Sequence, residues 1–196
     1  PIITKIKKMK TIYTLLFSIL LAITAFGQDQ TNNFEKKRLL KESADVSTAI
    51  FEGKVISKNK SFFSNKNQNT IYTSYTIQVE EVLFGTIKVG TIEIAVIGGQ
   101  MERGGEVYSF ESAHGTGLCS GNAIFFCKPF TEGNSGLSHS NTGAFTVISN
   151  VCYNSDGSID PSPYPYNDSY KNKKELYKDL AKFKSITIPK EKKVQM

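Results

Sequence analysis

Apolar and polar positions alternate with a period of two through most of the chain between residues 49 and 152. In Ala49–Ser57, Phe51, Gly53 and Val55 share one face and Glu52 and Lys54 the other, which is the signature of a half-buried strand. The longest such run is Thr70 to Phe84. Ile71, Thr73, Tyr75, Ile77 and Val79 alternate with Tyr72, Ser74, Thr76, Gln78 and Glu80, and then the phase slips at Glu80-Glu81, so that Val82 and Phe84 hold the apolar positions. One extra residue that changes the inward parity is a β-bulge, and long strands bent at bulges let small barrels turn corners.

Further strands are predicted at Thr91–Ile97, ended by Gly98-Gly99, more weakly at Val107–Glu111, and at Thr142–Cys152. Gly121–Cys127 is apolar on both faces and reads as central. Lys58 to Asn69 is a polar connection with Phe62-Phe63 set inside it. Strands at this spacing without intervening helices predict an all-β body. The expected fold is an OB-like, partly closed barrel of five to six antiparallel strands. A C-terminal helix and an N-terminal signal helix complete it.

The pattern changes at both ends. Lys5, Lys7, Lys8 and Lys10 precede an apolar run from Ile12 to Ile23, followed by Ala25-Phe26-Gly27. A basic start, a short apolar core and a small-x-small site form a secretory signal peptide. The apolar run falls short of the roughly 20 residues of a membrane-spanning helix. Met9 reads as the natural start, with 1–8 as read-through. The domain reading is 1–27 signal peptide, 28–44 polar leader with a short helix over Phe34–Leu40, 45–153 barrel, 154–169 linker and 170–196 helix and basic tail. Pro161, Pro163 and Pro165 exclude a central strand from the linker. Asn172 with Glu175 forms a capping-box pattern, and Leu176, Tyr177, Leu180 and Phe183 recur at helical spacing, predicting a helix over 172–184.

Charge adds a constraint. Of 24 basic residues four lie in the signal region, which holds none of the 18 acids, so the chain from Gln28 has a net charge of only +2. Residues 28–170 carry 11 basic and 15 acidic side chains, and the tail from Lys171 carries 9 and 3. A nucleic-acid footprint needs a basic face on the folded body, and this body is mildly acidic. Nucleic acid is therefore not an expected partner.

Three cysteines follow the signal, which in an oxidising compartment predicts one bridge and one thiol left over. An extended 121–127 strand, rising ~3.3 Å per residue, separates Cys119 from Cys127 by over ~20 Å. A bridge needs Cα atoms within about 7 Å. A hairpin closed near Pro129 and Ala144 places residue 119 opposite Cys152. The expected bridge is Cys119–Cys152, with Cys127 a buried free thiol on the same face as Phe125.

No catalytic signature survives inspection. The spacings among His114, Cys119, Cys127 and His139 match none of the usual zinc pairs. Asn154, Asp156, Ser158 and Asp160 alternate as oxygen ligands and form a weak calcium candidate. The glycine falls at position four rather than six, however, and Pro165 stands where the bidentate Glu belongs. Gly98-Gly99 and Gly104-Gly105 lack the Gly-Lys-Ser/Thr of a phosphate loop. Neither a metal nor a cofactor is expected.

The run Ile50–Ser57, the strand from Ile71 through Val79-Glu80-Glu81-Val82-Leu83-Phe84-Gly85, the Gly98-Gly99 turn and Asn122–Cys127 together resemble a known module. It is the N-terminal module of secreted Gram-negative proteins that use type IX secretion. The same order is similar to the OB barrel of tissue-inhibitor-of-metalloproteinase-like domains. The resemblance covers about residues 45–150 and implies a barrel without catalysis. It departs from the inhibitors in beginning at Gln28 rather than an N-terminal Cys, and from type IX cargo in lacking a β-rich sorting domain after Cys152.

The expected protein is thus a secreted (periplasmic or extracellular), non-enzymatic binding module with a protein or glycan partner at the cell envelope. No stable membrane anchor is expected after signal cleavage. Candidate contacts are Phe62, Phe63, Tyr72 and His114, together with the loop 98–120. The alternatives are an accessory domain of a secreted peptidase or hydrolase whose catalytic part lies downstream, and a calcium-stabilised adhesion module.

Overall fold

The structure, a computed structural model, describes residues 37–66, 69–111, 117–131, 145–160 and 170–189. The chain divides into two compact units, Pro1–Arg38 and Leu39–Met196; of the first only residues 37 and 38 are described, and the account that follows concerns the second. Residues 1–36, with the expected signal peptide, and His114, His139, Pro161, Pro163, Pro165 and the tail after Pro189 lie outside the described residues.

Among the described residues there are seven strands: β1 (Ala49–Phe63), β2 (Ile71–Phe84), β3 (Gly90–Ile97), β4 (Gly99–Arg103), β5 (Glu106–Phe110), β6 (Asn122–Pro129) and β7 (Phe145–Tyr153). Helix α1 covers residues 37–46 and helix α2 covers Lys173–Phe183. Five strands close into a barrel in the order β1-β2-β3-β7-β6, with β4 and β5 forming a separate hairpin. Four of the five pairings are antiparallel. The fifth, β3 with β7, is parallel and only two residue pairs long, Ile94 with Phe145 and Ala95 with Thr146. The mainly β reading, with five strands in a ring and a C-terminal helix, stands; the expectation of antiparallel strands throughout is corrected by this short parallel seam.

Irregular register bends the sheet enough to close it. Glu52 faces Glu81 and Gly53 faces Val79, so Glu80 is the extra residue, where the slipped alternation placed it. A second extra residue, Leu83, sits between the Ile50–Phe84 and Phe51–Val82 pairs. At the bend β1 is shared, because Gly53 pairs with Val79 of β2 and with Ala123 of β6. A Cβ on Gly53 would stand 2.6 Å from the Gln78 carbonyl oxygen, so glycine permits the close backbone approach at this corner.

The core has two layers. Inside the barrel Phe51, Ile77, Val79, Ile94, Ala123, Phe125, Cys127 and Val147 are buried, with Phe51 stacked on Phe125 at 5.2 Å between ring centroids. Outside it Ile50, Ile124, Phe126 and Val151 pack with Leu40 and Ala44 of α1 and Leu176, Tyr177 and Leu180 of α2. This explains the apolar character of both faces of β6. It also shows why the segment 28–44, expected as a polar leader, is more than that at its far end: Leu40 and Ala44 are fully buried.

The α2 boundaries match the capping signals. Asn172 Oδ1 accepts from the Glu175 amide at 3.1 Å, and Glu175 Oε2 accepts from the Lys171 amide at 3.0 Å. These bonds satisfy backbone donors that a helix start otherwise leaves open. After the helix, the Thr187 amide donates to Leu83 O at 2.8 Å and ties the chain to the end of β2.

Cys119 and Cys152 form the disulfide, with Cα atoms 5.6 Å apart. The hairpin that places them is the one expected from the sequence: Pro129 pairs with Phe145 and Ala123 with Cys152. Cys127 is a buried free thiol. Burial pushes its thiol well above the usual range, which keeps it protonated and unreactive.

Candidate functional site

The described residues hold two polar constellations and a concavity to consider. The first constellation is internal. Glu52 points outward from the barrel, as alternation demands, but α2 covers that face and leaves the side chain only 7% exposed. Lys173 Nζ lies 2.7 Å from Glu52 Oε2, Tyr153 Oη donates to the same oxygen at 2.7 Å, and Tyr177 Oη donates to Oε1. The Lys173 ammonium also sits 4.1 Å from the Tyr153 ring centroid. Burial alone would raise the Glu52 carboxyl; the hydrogen bonds from Lys173, Tyr177 and Tyr153 and the Lys173 charge outweigh it and hold the group below the ordinary value. Tyr153 and Tyr177 are pushed up by burial and by the carboxylate they serve. Every strong donor here is directed at one carboxylate, so the cluster locks α2 onto β1 and β7.

The second constellation is the outer face of β1, β2 and β3. Asn59 Nδ2 donates to Ser74 Oγ and to Thr76 Oγ1, each at 3.0 Å, Ser57 Oγ donates to Asn59 Oδ1 at 2.9 Å, and Ser74 Oγ donates to Glu93. Gln78 and Thr91 continue the row. The face ends in an aromatic group in which Tyr72 stacks on Phe62 at 6.0 Å and meets Phe130 edge-on at 5.0 Å.

The concavity lies beyond the barrel mouth. There the ends of β1 and β2, Ser61–Phe63 and Ile71–Thr73, form an arm whose Tyr72 and Thr73 also pair with Ile97 and Val96 of β3, and the β4–β5 hairpin lies against it. Thr73 Oγ1 donates to Gly98 O at 2.8 Å, and the Gly98 amide donates to Ile71 O at 2.7 Å. Gly104 and Gly105, with φ of +65° and +82°, make the two-residue turn that the right-handed strand twist favours. Phe63, Asn69, Ile71, Arg103, Gly104, Glu106, Tyr108 and Ser109 enclose an open space of about 590 Å³. Phe63 meets Tyr108 edge-on at 5.7 Å, Arg103 lies over the Phe63 ring at 5.8 Å, and Tyr108 Oη donates to Glu106 Oε2 at 2.8 Å.

Of the expected contacts, Phe63 lines this concavity. Phe62, by contrast, is buried against Phe130 and Ala95. Tyr72, expected to be exposed, is half-buried because Phe62 and Phe130 cover its ring. His114 falls outside the described residues. The run 58–63, read as a connection, is the far end of β1. Arg103 and Tyr108 fall within the expected contact segment 98–120, although it forms a hairpin rather than a loop, as the Gly104-Gly105 pair between two short runs signals.

The calcium candidate forms a compact turn. Asp156 Oδ1 accepts from the amide and the hydroxyl of Ser158 at 2.8 and 2.6 Å, bonds that hold its carboxyl below the ordinary value. Asn154 Nδ2 donates to Ser158 Oγ at 3.0 Å, and the Asp160 amide donates to Cys152 O at 3.0 Å. Among the described residues no group of three or more His, Cys, Asp or Glu side chains is placed to hold a metal ion. No helix among them is long and apolar enough to cross a membrane.

Comparison with protein-family models, with curated proteins and with solved structures finds no match.

Proposed function

We propose that this protein is a secreted binding module that performs no chemistry of its own and seats a protein or glycan partner at the barrel end carrying the β4–β5 hairpin. The observation that carries the reading is the concavity between the β1–β2 arm and the hairpin. It brings a ring pair, a guanidinium, a carboxylate and an amide to one open surface. The fold class supports it, since OB barrels bind along strands 2 and 3 and the loop joining strands 1 and 2, the end at which Asn69 lies. The buried ionic cluster at Glu52 is engaged with α2 and is available for no partner. Export is supported by the signal pattern at 9–27 and by the disulfide, a bond that persists in oxidising compartments.

The test is capture from cell-envelope extract by the immobilised full chain and by its Phe63→Ala/Tyr108→Ala variant. A partner held by the first and lost by the second is expected; identical recoveries, or none from either, overturn the reading. N-terminal sequencing of the exported chain is expected to begin at Gln28, and a product that retains residues 9–27 contradicts the secreted assignment.

A further inference from the structure

We propose that the hairpin concavity takes a neutral oligosaccharide, an inference that rests on the binding reading above and names its ligand class. The argument begins with the rings. Tyr108 is 41% exposed although it belongs to a strand, and its hydroxyl is fixed by Glu106, so its orientation is set before any ligand arrives. A rigid, half-exposed aromatic surface is what the apolar C–H face of a sugar ring stacks against, at little entropic cost to the protein.

The polar fringe has matching chemistry. Arg103, Asn69 and Glu106 present a guanidinium, an amide and a carboxylate, all planar groups with two adjacent polar atoms. Together they offer both donors and acceptors, and neighbouring sugar hydroxyls need both. The Arg103 guanidinium carbon lies over the Phe63 ring at 5.8 Å, within cation–π reach, and the fork of N–H donors on a guanidinium serves hydrogen bonds from there.

Charge narrows the class. Arg103 and Glu106 line the same space with opposite signs, so the site holds no surplus for a phosphate or a uronate and none for a cation. Two aromatic rings among several polar groups are too few for a lipid chain. The volume lies within the roughly 300–1,000 Å³ of small-molecule sites, with room for more than one sugar ring. The open side allows a chain to pass through rather than only a single unit to be enclosed.

The experiment is saturation-transfer NMR and calorimetry on the full chain with a panel of neutral trisaccharides (cellotriose, laminaritriose, maltotriose, mannotriose and chitotriose) and trigalacturonate as the charged control. At least one neutral sugar is expected to bind saturably. Tyr108→Ala and Arg103→Ala are each expected to weaken it about tenfold or more, with melting temperature unchanged because both side chains lie on the exposed hairpin. The inference is overturned if no neutral sugar binds, if trigalacturonate binds more tightly, or if the two substitutions leave binding untouched. Concavity-dependent capture of a protein without any sugar binding would overturn this inference while leaving the binding reading in place.

Discussion

The two ends of β1 live in different environments. Around Ile50 and Glu52 the strand is buried on both faces, by the barrel interior on one side and by α1 and α2 on the other. Around Ser61 and Phe63 it belongs to the arm, where Phe62 packs on Ala95 and Phe130 while Phe63 faces the small β4–β5 hairpin, whose β5 residues are exposed from Glu106 to Ser109. The first region holds the disulfide, the ionic lock and both core layers; the second holds the concavity. Stability is concentrated at one end of the strand and the proposed binding surface lies at the other, so substitutions in the two regions are expected to have opposite consequences.

The largest effect is expected at Glu52. Glu52→Ala leaves the Lys173 ammonium and two tyrosine hydroxyls without their shared acceptor under a helix, and breaking a buried ion pair in this way costs about 3–5 kcal/mol. Urea unfolding measures it, and sugar or partner binding at the hairpin is expected to survive wherever the variant remains folded. Next is the Cys119–Cys152 bridge. Its removal, as Cys119→Ser/Cys152→Ser, is expected to cost about 2–4 kcal/mol, mainly through a freer unfolded chain, read by thermal melting against the oxidised protein.

The lock also sets a pH window. The folded Glu52 carboxyl is held below its ordinary value of 4.5, so its contribution is fully present above that pH and is lost as pH falls through the lowered folded value. Tyr153 and Tyr177 are raised above 10.0, so their contributions are full below that pH and are lost as pH rises. Melting temperature is therefore expected to hold a plateau between about pH 4.5 and 10 and to fall on both sides. Tyr153→Phe/Tyr177→Phe is expected to weaken the alkaline limb while leaving an acid one. A smaller change is expected from Asn172→Ala, which removes the α2 cap and costs about 1 kcal/mol. Smallest is Tyr108→Ala, expected within about 0.5 kcal/mol of the parent in stability while binding is lost.

The same division governs how much of the molecule could be read from residue order. Strands inside the barrel obey a period of two because one neighbour is core and the other is not. The bulge at Glu80, the 122–129 strand and the disulfide hairpin were accordingly legible. The α2 caps were legible because they are local. Glu52 was not: alternation places it outward correctly, but outward means solvent only where no helix covers the sheet. Leu40 and Ala44 were hidden for the same reason, since their burial depends on contacts distant in the chain. On β1 beyond Ser57 the run from Lys58 to Ser61 is polar, with Phe62 buried and Phe63 half-buried after it, so Lys58–Phe63 reads as a polar connection; both strands of the hairpin are largely exposed. Gly99–Arg103 does not read as a strand because its one apolar side chain, Met101, leaves no alternation to follow, and Gly104-Gly105 reads as a turn only once the runs beside it are taken as strands.

Native-state hydrogen exchange tests the division most directly. Amides of β1 from Ala49 to Lys54, of β6, of β7 and of α2 are expected to exchange only through global unfolding, whereas those of Gly99–Phe110 open locally at a free energy well below it. Hairpin amides as strongly protected as those of β6, or barrel amides released before them, would contradict the account.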